Sequence, residues 1–355
     1  MPNRSRGGRS RARRPDRDKN QKRILDSGQE GAQVSGTKST DRHSHSKFEH
    51  IPSISRSSGL ERDGDTLKDP DVQEEYRKFL QQKLDAYWKR YGSSSNSEDS
   101  DAQKSEVESN ILIQFRKLRE GISSSRRHDR FAIEVYETSL WLSIIFHSHA
   151  QTTAILSPLL PDLYISVVST VKDEASSGLT VLLASLHSLE RHYPSQRAFF
   201  DLSKSLPPSF ALQDDHQVWL HDLSCSLRRS GYSHFRRLTQ KTTLVRLVAS
   251  ETPDQTPLHP GPDGPDLALL SLQTLVTSLR DRLRLSAWCT VRSAYREFAL
   301  PQCDTTTWLS NVLLLEVETG KQEAHVQLWF TSREQLGEVV KKDGIDGRWA
   351  VKLKK

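Results

Sequence analysis

Residues 131–146 read FAIEVYETSLWLSIIF, and this stretch decides the fold class of the chain. Phe131, Val135 and Leu142 recur at intervals of four and seven residues. That spacing places them on one face of a helix, because side chains one or two turns apart lie above one another. A half-buried strand would instead alternate apolar and polar residues. The stretch therefore predicts an amphipathic helix that packs against neighbouring helices.

The same periodicity continues on both sides of this helix, from residue 107 to residue 250. Helical patterns of about 10–20 residues follow one another, joined by short polar turns, and no alternating pattern competes with them. Such a series predicts an all-α helical-repeat domain, an α-solenoid, over 107–250. The apolar stripes that carry this prediction include Ile111, Phe115, Leu118 and Ile122; Ile155, Leu159, Leu163 and Val167; Leu179, Leu182, Leu186 and Leu189; and Trp219, Leu223 and Leu227.

Two further helices and two connections flank the repeats. A helical pattern over 69–92 is followed by an acidic, Ser-rich stretch over 93–106, which predicts an isolated helix and a flexible linker. That helix is expected to dock either on the body of the protein or on a partner. A Pro- and Gly-rich stretch over 251–265 predicts a loop. Residues 266–300 contain neither Gly nor Pro and keep helical spacing. They predict one long helix that connects the repeats to the end of the chain.

The last part of the chain changes in character. Residues 305–315 and 325–332 predict two short helices, and β-prone runs flank the sequence DGIDG at 343–347. Asp-Gly between β-prone runs is a strong hairpin signal. Two short helices followed by a hairpin predict a winged helix over 301–355, so the chain as a whole is expected to be dominated by helices.

The charge of the chain belongs mainly to its N-terminus. The 355 residues carry a net charge of +6, from 51 Lys and Arg against 45 Asp and Glu. Residues 1–23 hold ten Lys or Arg and two Asp, a charge of +8, so the rest of the chain sums to −2 (6 minus 8). Apolar residues are scarce over 1–68, which therefore cannot bury enough surface to offset the entropy of ordering. The sequence predicts a disordered basic tail over 1–68.

Composition also excludes several classes of protein. No apolar run approaches the ~20 residues of a membrane-spanning helix, and the N-terminus lacks the apolar core of a secretory signal. The three cysteines, Cys225, Cys289 and Cys303, are too few and too scattered for a disulfide framework. We therefore expect an intracellular protein that does not associate with a membrane.

Three segments of the helical region resemble the GANP/Sac branch of the PCI-domain proteins. In that branch one helix carries a V-Y-E element, which matches residues 135–137, and a later helix ends in an L-x-x-L-Y element, which matches residues 160–164. The chain departs from the family at 147–150, where HSHA replaces an acidic Gly-Asp turn, and over 172–215. The matching segments are FRKLREGI at 115–122, FAIEVYETSLWLSIIF at 131–146 and ILSPLLPDLY at 155–164.

The resemblance implies a PCI fold, in which a helical-repeat domain is followed by a C-terminal winged helix. It also implies a non-enzymatic scaffold subunit that acts in nuclear mRNA processing or export. Its partners would be other protein subunits, either a small helical protein or another PCI protein, with RNA left open as a further partner. The alternative is a PCI subunit of another complex: the proteasome lid, the COP9 signalosome or a translation initiation factor. Tyr136 and Tyr164 are expected to pack in the core.

The sequence offers little that points to catalysis. It contains no phosphate-binding loop, no Cys-x-x-Cys and no His-Glu-x-x-His motif. His216 and His221 lie about 140° apart around a helix, which is too far for a shared metal ion. Asp214 and Asp215 precede the apolar residues of a helix and are expected to stabilise its N-terminus. We therefore expect no catalytic residue, metal, cofactor or small-molecule substrate.

Basic residues near helix ends and on the predicted wing are the remaining candidates. Many winged helices bind nucleic acid through phosphate contacts from the wing and the preceding helix. Alternatively, these cations offset helix dipoles or protect a sheet edge, and the winged helix serves subunit assembly. The candidate nucleic-acid contacts are Arg126, Arg127, Arg228, Arg229, Arg236, Arg237, Lys341, Lys342, Arg348 and Lys352.

Basic clusters in the tail predict nuclear import. The alternatives are that the tail contacts RNA through counterion release, or that it is a solvated segment of a cytoplasmic protein. The residues of the candidate localisation signal are Arg11, Arg13, Arg14, Lys19, Lys22 and Arg23.

Overall fold

The computed structural model describes residues 48–49, 51–53, 66–92, 98–166, 177–207, 210, 212–251, 266–300, 303–315, 322–342 and 347–352. These residues belong to one compact unit, His45–Lys355, and contain twelve α-helices and a three-stranded sheet, so the predicted dominance of helices is confirmed. The helices are α1 (Pro70–Tyr91), α2 (Glu98–Ser125), α3 (Arg130–Ile145), α4 (His149–Pro158), α5 (Gly178–His192), α6 (Arg197–Ser205), α7 (Asp214–Arg228), α8 (Tyr232–Leu238), α9 (Lys241–Glu251), α10 (Leu267–Ala294), α11 (Cys303–Val312) and α12 (Gln322–Gln335). The strands are β1 (Glu297–Ala299), β2 (Val339–Lys341) and β3 (Arg348–Val351).

Helix α1 packs along α2, so the helix predicted over 69–92 docks on the body of the protein. Gln73, near the start of α1, donates a hydrogen bond to Ser125 at the end of α2 (3.0 Å). Tyr87, near the end of α1, donates one to Glu108 in the first half of α2 (2.5 Å). The two helices are therefore antiparallel. The buried apolar side chains of α1 are Tyr76, Phe79, Leu80, Leu84 and Tyr87.

The predicted linker over 93–106 is replaced in part by helix. Helix α2 begins at Glu98, so residues 98–106 are helical, and residues 93–97 lie outside the described part of the chain. Acidic residues near a helix N-terminus are stabilised by the helix dipole. The composition that suggests a solvated linker is therefore equally suited to the first turns of a helix.

Part of the predicted disordered tail belongs to the core. Phe48 and Ile51 are buried, and the Phe48 ring centroid lies 5.7 Å from that of Tyr76 and 5.8 Å from that of Phe79. Lys117 of α2 donates a hydrogen bond to the Ile51 carbonyl oxygen (2.7 Å). The prediction over 1–68 is therefore wrong at residues 48–49, 51–53 and 66–68, because an average over the tail conceals its few apolar anchors. The rest of the predicted tail, with the candidate localisation signal, lies outside the described residues.

Helix α3 is formed by the stretch that decides the fold class, and it packs against α2, α4 and α10. The Asp129 side chain caps it by accepting a hydrogen bond from the Ala132 amide (2.9 Å). Val135 and Leu142 of the predicted stripe are buried, and Phe131 is partly buried against the same core. The predicted stripe therefore lies in the core, but Ile133 and Leu140 outside it are buried too, so the helix is buried around most of its circumference.

Helix α10 is shorter than predicted and is central to the fold. It begins at Leu267, ends at Ala294, and is followed by strand β1, whereas the sequence predicts helix to residue 300. Its contacts with α3, α5 and α9 belong to the main core, and its last turns place Trp288 and Val291 in a second, C-terminal core. The spacing of Phe298 suits either a helix or a strand, and a strand forms because β3 provides a partner.

The second core lies between the sheet and helices α10, α11 and α12. The sheet is antiparallel with β3 in the centre, in the order β1-β3-β2. The pairing of β2 with β3 confirms the two strands predicted for the hairpin, and residues 343–346 between them lie outside the described residues. The buried members of this core include Trp288, Phe298, Leu309, Leu313, Val326, Phe330, Val339 and Trp349.

Candidate functional site

Two of the predicted wing cations share one carboxylate. Lys342 Nζ lies 2.7 Å from Glu297 Oε2 on β1, and Arg348 Nη1 lies 3.5 Å from Glu297 Oε1. The hydrogen bond from Lys342 lowers the pKa of Glu297, which holds this carboxylate in its charged form. Lys341 and Lys352 are exposed beside these strands. The cations beside β2 and β3 therefore carry a positive charge that Glu297 partly neutralises.

Arg127 serves a contact between helices. Its guanidinium lies 2.9 Å from Glu74 of α1 and 2.7 Å from Asp129, the residue that caps α3. It also lies 4.1 Å from the centroid of the Phe131 ring, a cation–π geometry. Arg126, in contrast, is exposed and has a φ of 53°, the left-handed conformation that follows the end of α2.

The remaining candidate cations lie around α7 and α8. Arg236 donates a hydrogen bond to Asn311 and so joins α8 to α11. Arg228, Arg229 and Arg237 are exposed. The structure therefore brings Lys342 and Arg348 together on the wing, while the contacts of Arg127 and Arg236 are made within the fold. The described contacts do not unite the ten predicted cations in one site.

The C-terminal region exposes large apolar side chains. Leu328 on α12 is 67% exposed, and Leu336, directly after α12, is 66% exposed. Trp308 on α11 and Val340 on β2 are also exposed. Burial of apolar side chains such as these favours protein association, whereas phosphate binding depends on cations.

Helix α12 follows α11 in the position from which a winged helix would read nucleic acid. Its sequence contains a single Lys or Arg, Arg333. The Arg333 guanidinium lies 3.5 Å from Glu338 and 3.9 Å from the centroid of the Trp329 ring. This cation is therefore engaged within the C-terminal core, and the helix does not have the basic face that groove binding needs.

The two elements that carry the family resemblance meet in the structure. Tyr164, which ends the L-x-x-L-Y element, donates a hydrogen bond to Glu137 Oε1 of the V-Y-E element (2.5 Å). Thr180 of α5 also donates one to that oxygen (3.4 Å). Tyr136 and Tyr164 are both buried, as expected from their apolar neighbours. The contact fastens α3 to Tyr164, which follows the π-helix Leu159–Leu163 after α4, and to α5.

Burial changes the acidity of Glu137. Desolvation raises its pKa to about 7, against the opposing effect of the hydrogen bonds from Tyr164 and Thr180. The folded state therefore takes up a proton at a higher pH than the unfolded state, in which this pKa is near its ordinary value of 4.5. The free energy of unfolding therefore increases as the pH falls from about 7 to about 4.5, and it decreases again as the pH rises through this range.

We expect Glu137→Gln to remove this pH dependence. The amide oxygen still accepts the hydrogen bond from Tyr164, while the charge that burial disfavours is gone. At pH 8 the variant should be more stable than the wild type by about 1–3 kcal/mol, and the difference should shrink towards pH 5. Urea unfolding at several pH values measures it. The exposed Glu75 provides the control, and equal pH profiles for Glu137→Gln and Glu75→Gln would contradict the assignment.

A polar cluster that the sequence did not single out joins α4, α5 and α10. His149 is the first residue of α4, and its Nδ1 lies 3.7 Å from Glu190 Oε2 on α5. Arg282 of α10 lies 2.9 Å from Glu190 Oε1. Burial, with His149 nearby, lowers the pKa of His187 to about 4, so this imidazole is neutral at neutral pH. The signal for this cluster in the sequence is the three-residue spacing of His187 and Glu190, which places them on one helix face. His149 is distant in the chain, so its approach could not be predicted.

The histidines that the sequence analysis considered do not form a site. His216 is buried, with its Nε2 2.9 Å from the Leu247 carbonyl oxygen, whereas His221 is exposed. Asp214 and Asp215 lie in the first turn of α7, where the helix dipole favours them, although neither caps the helix through its side chain. Within the described ranges, His149, His187 and Glu190 are the one group placed to share a metal ion.

No family model, no curated protein and no solved structure matches the chain. None of the described helices has the combination of length and apolar character that crossing a membrane requires.

Proposed function

We propose that this protein is a non-enzymatic scaffold subunit of the GANP/Sac PCI class, which acts in nuclear mRNA processing or export by binding other protein subunits. The observation that carries the proposal is the hydrogen bond between Glu137 and Tyr164. Each residue belongs to one of the two elements of the resemblance. Their contact gives a physical reason for both elements to occur in one chain, because each supplies half of a hydrogen-bonded pair.

The order of elements at the end of the chain supports a winged helix. Helix α10, strand β1, helices α11 and α12, and strands β2 and β3 follow one another, with β3 central in the sheet. A winged helix has this same chain order and strand order. Its position after a series of packed helices supports the PCI architecture proposed for the whole chain.

Protein assembly accounts for the C-terminal surface better than RNA binding does. Leu328 and Leu336 are exposed on or beside α12, and the single arginine of that helix is engaged with Glu338. Glu297 partly neutralises the wing. Burial of apolar side chains drives association of proteins, whereas RNA binding depends on cations that neutralise phosphates. The basic tail is left as the segment that would direct nuclear import or add RNA affinity.

The second candidate is a PCI subunit of another complex, namely the proteasome lid, the COP9 signalosome or a translation initiation factor. The exposed apolar side chains of the C-terminal region favour it, since winged helices in those complexes are expected to pair with one another. Both candidates are scaffolds, and the identity of the bound subunits distinguishes them.

We expect the double substitution Leu328→Gln and Leu336→Gln to weaken partner binding at least tenfold without loss of stability, because both side chains are exposed in the free protein. Affinity purification of tagged protein from nuclear extract, with quantitative mass spectrometry, measures the bound subunits. Val218→Gln is the matched control, because Val218 is an exposed apolar residue on α7, away from the C-terminal core.

The outcomes separate the proposals. Loss of mRNA-processing or export subunits from the double variant alone supports the function proposed first, and loss of lid, signalosome or initiation-factor subunits supports the second. Unchanged recovery of every subunit would show that this surface is not the assembly surface. If RNA recovery falls instead, and falls further when Lys341 and Lys342 are changed to Ala, the C-terminal region is a nucleic-acid interface.

A further inference from the structure

Three side chains at the contact of α4 and α5 bring metal-binding atoms together. One potential ligand atom from each of His149, His187 and Glu190 lies within 4.8 Å of the other two. His149 Nδ1 lies 3.7 Å from Glu190 Oε2. His187 and Glu190 lie three residues apart on α5, whereas His149 comes from α4, so the approach of His149 is a property of the packing and not of a local motif.

The other polar atoms of the two α5 side chains are already engaged. Glu190 Oε1 accepts a hydrogen bond from Ser278 of α10 (3.0 Å) and lies 2.9 Å from Arg282 Nε of the same helix in an ion pair. His187 Nε2 lies 3.4 Å from Thr153 Oγ1 of α4. Partners of this kind orient metal-binding side chains and fix the tautomer of a histidine. They leave Glu190 Oε2 and His187 Nδ1 as the atoms available to a ligand.

Both available atoms are buried without a hydrogen-bond partner among the described residues. His187 is 6% exposed and Glu190 is 1% exposed. Buried polar atoms are satisfied in the great majority of cases, because an unsatisfied one loses its interaction with water without compensation. A single ligand that contacted both atoms would satisfy them together.

We propose that His149, His187 and Glu190 bind a Zn²⁺ ion. Two imidazoles and one carboxylate form a ligand set that suits zinc and leaves a fourth position for water. Tetrahedral zinc with ligands at about 2.0–2.1 Å places the ligand atoms about 3.3 Å apart, so side-chain movements on the order of 1 Å close the site. The Glu190 carboxylate lies between the ion and Arg282 and moderates their repulsion.

Such an ion would cross-link the helical domain. It would join the N-terminus of α4 to α5, and through the bond from Arg282 to Glu190 it would also involve α10. His149 belongs to the HSHA stretch at 147–150, where the chain departs from the GANP/Sac pattern. The site is independent of the scaffold function proposed above, since none of its residues lies on the exposed C-terminal surface.

To test the proposal, the full chain is freed of metal with a chelator. It is then titrated with Zn²⁺ in a calorimeter and with Co²⁺ as a spectroscopic probe. We expect one saturable site with the absorption of tetrahedral Co²⁺ and no thiolate charge-transfer band. His149→Ala should weaken binding at least tenfold, and Glu190→Gln should do the same. His192→Ala is the matched control, because His192 is exposed on the same helix. Zn²⁺ should also raise the Tm of the wild type and leave that of His149→Ala unchanged.

The His149→Ala variant decides the result, because His149 is partly exposed and its removal should preserve the fold, which circular dichroism checks. All variants keep His43, His45 and His50 of the N-terminal segment. Binding that persists at full affinity in His149→Ala would therefore place the ion elsewhere and overturn the proposal. Absence of a saturable site in the wild type would also overturn it.

Discussion

Trp349→Ala is expected to lower the free energy of unfolding by about 3–5 kcal/mol. Trp349 lies on the central strand β3, is only 6% exposed, and packs its ring 5.6 Å from that of Phe330. Its removal leaves a cavity between the sheet and α12 that the short strands are too constrained to fill. Urea unfolding followed by circular dichroism measures the loss without relying on tryptophan fluorescence.

The matched control for this prediction is the double substitution Lys341→Ala and Lys342→Ala. Lys341 pairs with Trp349 in the register of β2 and β3, but both lysines are exposed. Exposed substitutions and surface ion pairs change stability by less than about 1 kcal/mol. If Trp349→Ala were as mild as this control, the C-terminal core could not be packed as the structure describes.

Phe48→Ala is expected to have the second large effect, a loss of about 3 kcal/mol. The value lies at the low end of the range for phenylalanine, because the segment that holds Phe48 lies near the end of the compact unit and can adjust. The ring packs on Tyr76 and Phe79 of α1. Its truncation should therefore loosen the contact between this segment and α1, which thermal unfolding and hydrogen exchange at α1 both report.

Glu49→Ala provides the comparison for Phe48. Glu49 is the next residue and forms an exposed ion pair with Lys83 (2.6 Å), so its removal should cost less than about 1 kcal/mol. A tail that made no contact with the helices would tolerate both substitutions equally. Equal and negligible effects of Phe48→Ala and Glu49→Ala would thus restore the prediction of disorder for the segment around Phe48.

Some elements of the fold depend on neighbouring residues in the sequence, and others depend on contacts between distant segments. The helix α3 and the burial of Val135 and Leu142 followed from their spacing, because a helix repeats every 3.6 residues whatever surrounds it. The strands β2 and β3 followed from β-prone runs around an Asp-Gly signal. The end of α10 did not follow, because Phe298 becomes a strand residue through its pairing with Trp349, far along the chain.

The candidate sites were less predictable than the helices. Basic residues are visible in any sequence, but their partners are not. Glu297 and Lys342 form an ion pair across the sheet, and Arg236 reaches Asn311 on another helix. The sequence shows which residues are charged. It does not show whether a cation is exposed to a ligand or paired with another residue of the fold.

The sequence by itself determined that this chain forms amphipathic helices with a small hairpin near its end, because these features depend on residues a few positions apart. Only the tertiary structure decided that residues near Phe48 join the core, that α1 docks on α2, that Glu137 meets Tyr164, and that His149 approaches Glu190. Each of these depends on a contact between distant segments, and its free energy exists only once the helices have packed.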